Sequence, residues 1–250
     1  MTKYFIFAMK GLPMRISAIL FDLDGTLLPM DLDTFTRAYF GLLAAKLAPY
    51  GYEPKTLFGA ISAGIAAMSQ NDGSAGNETV FWNAFTEIYG KDSKKELPVF
   101  EEFYRTDFNK AKDSCGFTPM AKEVITFLHE NKIPVILATN PFFPAIATEN
   151  RVRWAGLCPE DFTWITTYEN SSFCKPNPAY YLEILNRFGL KPEECIMIGN
   201  DVTEDMVAEN LGMKVFLLTD CIINKENKDI SVYPNGGFPE LLDFLRSNLL

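Results

Sequence analysis

The hydrophobic pattern changes its period along the chain. Residues 16–21 form a short apolar run rich in branched side chains, which reads as a strand buried on both faces. The run stops at Asp22, Asp24, Gly25 and Thr26. From 30 to 113 apolar positions recur three and four apart, and four helices follow. The first carries Phe35, Tyr39, Leu42, Leu43 and Leu47, with Asp33 as its cap. The second carries Leu57, Ile61, Ile65 and Met68, and lies between Pro54 and the polar stretch 71–77. Val80, Phe81, Ala84, Phe85 and Ile88 mark the third, and Val99, Phe100, Phe103, Tyr104 and Phe108 the fourth. Aromatic stripes at this spacing are the core of a helical bundle.

Beyond residue 114 strands alternate with helices. Thr118 caps and Pro119 opens a helix running to about Glu130. A strand over 133–138 ends in Thr139 and Asn140. Pro144 opens a helix to about Trp154, and a short strand spans 162–167. Asn177 and Pro178 start a helix through Phe188. A strand over 195–198 precedes a helix to Leu211, and a strand over 215–218 is followed by a polar stretch and a last helix over 239–248. Such alternation predicts an α/β fold, a doubly wound parallel sheet with an all-helical insert. The core covers 14–29 and 114–250, the insert 30–113, and 1–13 is an N-terminal extension, with Met14 as an alternative start.

Composition narrows the function. A net charge of −9 over 250 residues, without a basic run, argues against a nucleic-acid surface. No apolar run is long enough to span a membrane. The five cysteines are scattered, without Cys-x-x-Cys spacing, which points to a reducing, cytoplasmic setting. The single His129 receives no role.

The chemistry gathers where ligands bind in open α/β sheets, beyond the carboxyl ends of the strands. Asp22 and Asp24, two apart, project into the same space. Two carboxylates that close call for a cation or for separated pKa values. Thr139, Asn140, Lys175, Asp201 and Asp205 fall at the other strand ends. Asp201 with Glu204 also makes a capping pair.

Phe21-Asp22-Leu23-Asp24-Gly25-Thr26-Leu27, Thr139-Asn140, Lys175-Pro176 and Gly199-Asn200-Asp201 through Asp205 resemble, in order, the four motifs of the haloacid dehalogenase-like (HAD) superfamily. The helical insert after the first motif resembles that superfamily's C1 cap. One departure is Asn200, where many members place the acid directly after the glycine. The resemblance implies a Mg²⁺-dependent phosphatase acting on a small phosphorylated metabolite. Asp22 would be the nucleophile that forms an aspartyl-phosphate, and Asp24 the general acid and base. Thr26, Thr139 and the Asn140 amide would bind the phosphoryl group, and Lys175 would neutralise charge. Mg²⁺ would take Asp22, the Asp24 carbonyl, Asp201 and Asp205 as its ligands. The partner is then a small phosphate ester bound by a monomer or homodimer, with no nucleic acid and no membrane. Within the superfamily Asp24 separates phosphate-ester chemistry from dehalogenation and phosphonate cleavage. A sugar phosphomutase and a catalytically silent phosphate-binding protein are the alternatives. Two linkers side by side, near 29–33 and 114–117, predict a hinge for the insert. The polar 71–77 loop is the part expected to touch the leaving group, and the absence of Lys and Arg from 56–90 points to a leaving group that is not strongly anionic.

Overall fold

The structure, a computed structural model, describes residues 16–90, 95 and 97–249. The proposed extension 1–13 and its alternative start Met14 lie outside the described residues. Six strands form one sheet in the order β3-β2-β1-β4-β5-β6: β1 (Ala18–Phe21), β2 (Val135–Leu137), β3 (Trp164–Ile165), β4 (Cys195–Gly199), β5 (Lys214–Leu218) and β6 (Asn235–Gly236). Every neighbouring pair is parallel. Register matters most here. Phe21 pairs with Leu137 on one side and with Ile198 on the other. The chain therefore leaves the sheet at the same level on its three central strands, and residues 22–26, 138–140 and 199–205 meet at one edge.

Strand parity divides the core. Ile19, Phe21, Val135, Leu137, Ile196 and Ile198 face one layer, with α5 (Pro119–Glu130) and α8 (Phe238–Leu249) packed on it. Leu20, Ile136, Met197, Val215 and Leu217 face the other, under α7 (Pro178–Phe188). Alternate residues of β1 thus serve opposite faces, as a doubly covered sheet requires.

The insert holds α1 (Leu32–Leu47), α2 (Pro54–Ser69), α3 (Asn77–Tyr89) and α4 (Leu97–Arg105). Its core is aromatic. Phe35, Tyr39, Phe103 and Phe108 cluster at centroid distances near 6 Å, and Trp82 meets Phe100 edge-on at 5.4 Å. This core continues into the main body, because Phe108 packs on Trp154 of α6 (Ala145–Trp154) at 4.9 Å. The two linkers do run side by side, with an antiparallel bridge between Met30 and Cys115 and a bond from Gly116 N to Pro29 O of 2.7 Å.

Four local expectations need correction. The cap of α1 is Asp31, whose Oδ1 accepts from Thr34 N at 2.8 Å; Asp33 lies in the first turn, where its charge suits the helix dipole. The fourth insert helix stops at Arg105, and 107–114 is a 3-10 segment. The helix expected after β4 is a 3-10 segment over Met206–Leu211, because Asp205 folds back to accept from Asp201 N and tightens the turn. β6 lies in a polar stretch without a strand pattern. Among the described residues no helix is long and apolar enough to cross a membrane.

Candidate active site

The ladder extends one residue past β1. Asp22 N donates to Ile198 O at 2.9 Å, and Ala138 N donates to Phe21 O at 2.7 Å. The chain then turns through Gly25, whose φ of +86° suits glycine, and a Cβ there would collide with the Asn200 amide. The turn brings Thr26 under Asp22. The Thr26 hydroxyl reaches both Asp22 Oδ2 and Asn200 Oδ1 at 3.1 Å. Thr26 is buried and does not line the cavity. Its hydroxyl fixes the Asp22 carboxylate in this structure.

Lys175 lies beneath the same carboxylate. Its Nζ donates to Asp22 Oδ1 at 2.8 Å and to Asp205 Oδ1 at 2.7 Å, and its side chain is fully buried. Burial alone would lower its pKa, but Asp205 and Asp22 outweigh it and hold the ammonium well above the usual lysine range. Asp205 is pushed up to about 6, by burial first, with Lys175 opposing and Asp22 adding to the shift. Both Asp205 oxygens are occupied, one by Lys175 and the other by Asp201 N at 2.9 Å. Asp205 thus serves as counter-charge and brace to Lys175 while also lining the cavity with Asp22 and Asp201. Gly199 permits this, since a Cβ there would strike the Asp205 carboxylate.

Asp201 Oδ1 accepts from Thr203 N at 2.7 Å and Glu204 N at 2.9 Å, but Asp201 N is taken by Asp205 and the Glu204 carboxylate by Asn140, so only half of the expected capping pair forms, and Oδ2 has no hydrogen bond among the described residues. Glu204 is pushed up to about 7 by burial, and its Oε2 accepts from Asn140 Nδ2 at 2.9 Å. The Asn140 backbone N–H makes no hydrogen bond among the described residues. Hydroxyls of Thr166 and Tyr180 hold the Thr139 carbonyl at 2.7 and 2.9 Å.

Sequence reasoning missed Arg151. It is fully buried on α6 and pairs through Nη1 with Asp24 Oδ2. Its Nη2 donates to Thr148 Oγ1 at 3.2 Å, and its guanidinium lies 4.3 Å from the Phe143 ring centroid. Burial raises the Asp24 pKa and Arg151 opposes the shift, while Asp22 adds to it. The other Asp24 oxygen, Oδ1, is buried without a partner. One signal could have found Arg151: it shares a helical face with Ala147, Thr148 and Val152, all buried.

These groups open onto a cavity of about 290 Å³. Asp22, Asp24, Thr139, Asn140 and Asp201 line its polar end, and Leu32, Phe35, Tyr39, Phe40 and Ile65 of the insert its apolar end. The 71–77 loop does not line it. Asn71 Nδ2 donates to Asn77 Oδ1 at 2.9 Å, and Asn77 Nδ2 reaches Phe173 O at 3.3 Å and Cys174 Sγ at 3.4 Å. That loop fastens the insert to the segment leading into Lys175, in place of the substrate contact expected.

Comparison with known proteins agrees with this geometry. Hexitol phosphatase A of Escherichia coli (strain K12) is 28% identical over 188 residues, 74% of each chain. The 2-haloacid dehalogenase of Pseudomonas syringae pv. Tomato DC3000 superposes with a TM-score of 0.61 at 20% identity, covering 93% of this chain and 99% of that one. The HAD-hydrolase YfnB from Bacillus subtilis, bound to magnesium, superposes with a TM-score of 0.56 at 20% identity, covering 93% and 99%. Residues 16–212 match the family described as haloacid dehalogenase-like hydrolase. With paired aspartates at the end of β1, a buried lysine behind them and a helical insert above, this chain belongs to the haloacid dehalogenase-like hydrolases.

Proposed function

We propose that the protein is a Mg²⁺-dependent phosphatase that hydrolyses a small phosphate monoester through an aspartyl-phosphate on Asp22. One observation carries the reading. The Asp22 carboxylate is held from below by Lys175 and from the side by Thr26, at the floor of a cavity that Asp24 also lines. A nucleophile fixed in this way loses little entropy on attack.

The donor chemistry fits Mg²⁺. Asp22 and Asp201 line one cavity, and Asp201 Oδ2 is available. Among the described residues no three His, Cys, Asp or Glu side chains form a ready-made metal cluster. Two carboxylates with retained waters and substrate phosphate are what this cation takes. Asp22 and Asp201 would hold it, and bound there it would offset negative charge on the phosphoryl oxygens.

In the reaction an Asp22 oxygen attacks phosphorus as the ester P–O bond breaks. Asp24 delivers a proton to the departing alkoxide. The free Asn140 N–H and the Thr139 side chain bind phosphoryl oxygens, and Lys175 balances charge on the Asp22 side. Water then attacks phosphorus, Asp24 takes its proton, and phosphate leaves with Asp22 regenerated. Arg151 orients Asp24 between the two proton transfers.

The test is turnover of an aryl phosphate by purified protein with Mg²⁺, followed by rapid acid quench and mass spectrometry. Phosphate on the Asp22 peptide is expected. Asp22→Asn should abolish both signals with the fold intact, and EDTA should stop turnover until Mg²⁺ is restored. Full activity of the Asp22→Asn protein would refute the reading.

A further inference from the structure

A second cavity, of about 350 Å³, adjoins the phosphoryl cavity. Tyr39, Ile65, Phe142 and Phe143 line both, so these four side chains form the boundary between the two cavities. The far walls are aromatic: Phe81 and Trp82 from α3, Phe100 and Tyr104 from α4, and Tyr168 after β3. Tyr39 and Tyr104 share a hydrogen bond of 2.9 Å, and Trp82 Nε1 donates to Tyr168 OH at 3.4 Å. Beyond these two bonds the far walls are ring carbon.

The charged groups at this cavity are Glu78, Glu101, Glu169 and Arg105. Arg105 is already paired with Glu101 at 3.3 Å. Glu169 is fixed, its two oxygens accepting from Ala145 N at 2.9 and 3.1 Å. Glu78 has no ion-pair partner among the described residues, and burial together with the Glu169 charge raises its pKa. Among the described residues, Glu78 and Glu169 thus stand at a bowl of rings whose one lining cation, Arg105, is already paired. Ring faces are themselves electronegative and attract cations, most strongly when water is excluded. At the phosphoryl end, by contrast, Asp22 and Asp24 are paired with the buried cations Lys175 and Arg151.

We propose that the second cavity is the leaving-group site, and that it selects a phosphate monoester whose alcohol has an extended apolar body ending in a positively charged ammonium group. The inference rests on the phosphatase reading above. The apolar body lies along Ile65, Phe142 and Phe143. The ammonium sits among the rings of Trp82, Phe100 and Tyr168, facing Glu78 and Glu169. An anionic tail meets two like charges there.

A length series tests this. Aminoethyl, aminobutyl and aminohexyl phosphate, each with a terminal amine, are compared with ethyl, butyl and hexyl phosphate. A terminal carboxylate series and phenylalkyl phosphates complete the panel, and p-nitrophenyl phosphate reports basal turnover. The ratio of kcat/KM for amine over alkyl should stay near one for the short pair and rise to about tenfold once the chain reaches the second cavity. Carboxylate esters should be poorest at that length. Glu78→Gln should bring the ratio back toward one, a change that loss of packing alone would not produce. A ratio near one at every length, or a preference for phenylalkyl or carboxylate esters, overturns the ammonium site while p-nitrophenyl phosphate turnover leaves the phosphatase reading standing. Absence of turnover on every monoester refutes that reading, and this inference with it.

Discussion

Replacing Arg151 by Met tests whether Asp24 depends on a buried partner. Methionine keeps an unbranched stem in the Phe143 contact and removes the charge. The Arg151 side chain is 1% exposed and that of Asp24 21%. Breaking a buried pair from one side costs about 3–5 kcal/mol, because the remaining charge stays desolvated. Partial exposure of Asp24 moves the expected loss to the lower end, about 3 kcal/mol. Asp24→Asn strands the guanidinium in the same way and should cost a similar amount. The double variant strands neither charge, so its loss should fall short of the sum by about 2 kcal/mol. Urea unfolding followed by tryptophan fluorescence reads all three. Arg105→Met is the control. Its pair with Glu101 is 59% and 60% exposed, and such pairs contribute about 0–1 kcal/mol. Additivity of the two single losses within about 0.5 kcal/mol would show that Arg151 and Asp24 do not act as a pair.

Thr26→Val keeps the shape but removes the hydroxyl shared by Asp22 and Asn200. It should lower kcat about tenfold or more, with Thr26→Ser restoring most of it; equal rates for the valine and wild-type proteins would dismiss Thr26 as a brace. Asp24→Ala should reduce kcat/KM for alkyl phosphates well beyond that for aryl phosphates, since a phenolate leaves without a proton; equal losses would remove Asp24 from the acid role. Asn77→Ala leaves buried partners unsatisfied on both sides of the interface and should cost about 1–3 kcal/mol in a denaturant titration. Asp72→Ala, at an exposed turn, should stay within about 0.5 kcal/mol, and the reverse order would sink the docking role given to Asn77.

What the sequence made legible was local or periodic. Thr118 before Pro119 and Asn177 before Pro178 cap helices as expected, with side-chain bonds to Met120 N and Ala179 N. The apolar run into Asp22 is a central strand, and the four motif segments meet at one sheet edge. What stayed hidden depends on distant partners. Arg151 meets an acid 127 positions away, and Asn77 anchors on residues 96 and 97 positions later. Composition reads a polar loop such as 71–77 as a solvent turn or a substrate contact, because asparagines that satisfy one another inside an interface look the same in sequence. Asp205 had the right type and spacing for a ligand; only the position of Lys175 shows that it also serves as a brace.

Among the described residues the insert is tied to the body at the linkers, along α6 and through Asn77. The linkers join at Gly116 and Pro29. α6 bonds to it through Asn150 Nδ2 to Tyr104 O at 2.8 Å and Trp154 Nε1 to Asn109 Oδ1 at 3.2 Å. Asn77 holds the segment before Lys175. The side-by-side linkers are therefore not the only ties, and a hinge at them cannot turn while the α6 and Asn77 bonds hold. Opening must first release the α6 seam or the Asn77 pin. The first lies on the helix that carries Arg151, and the second on the residue next to Lys175. Either release would therefore act on an element that carries or adjoins a buried cation of the phosphoryl site, Arg151 or Lys175.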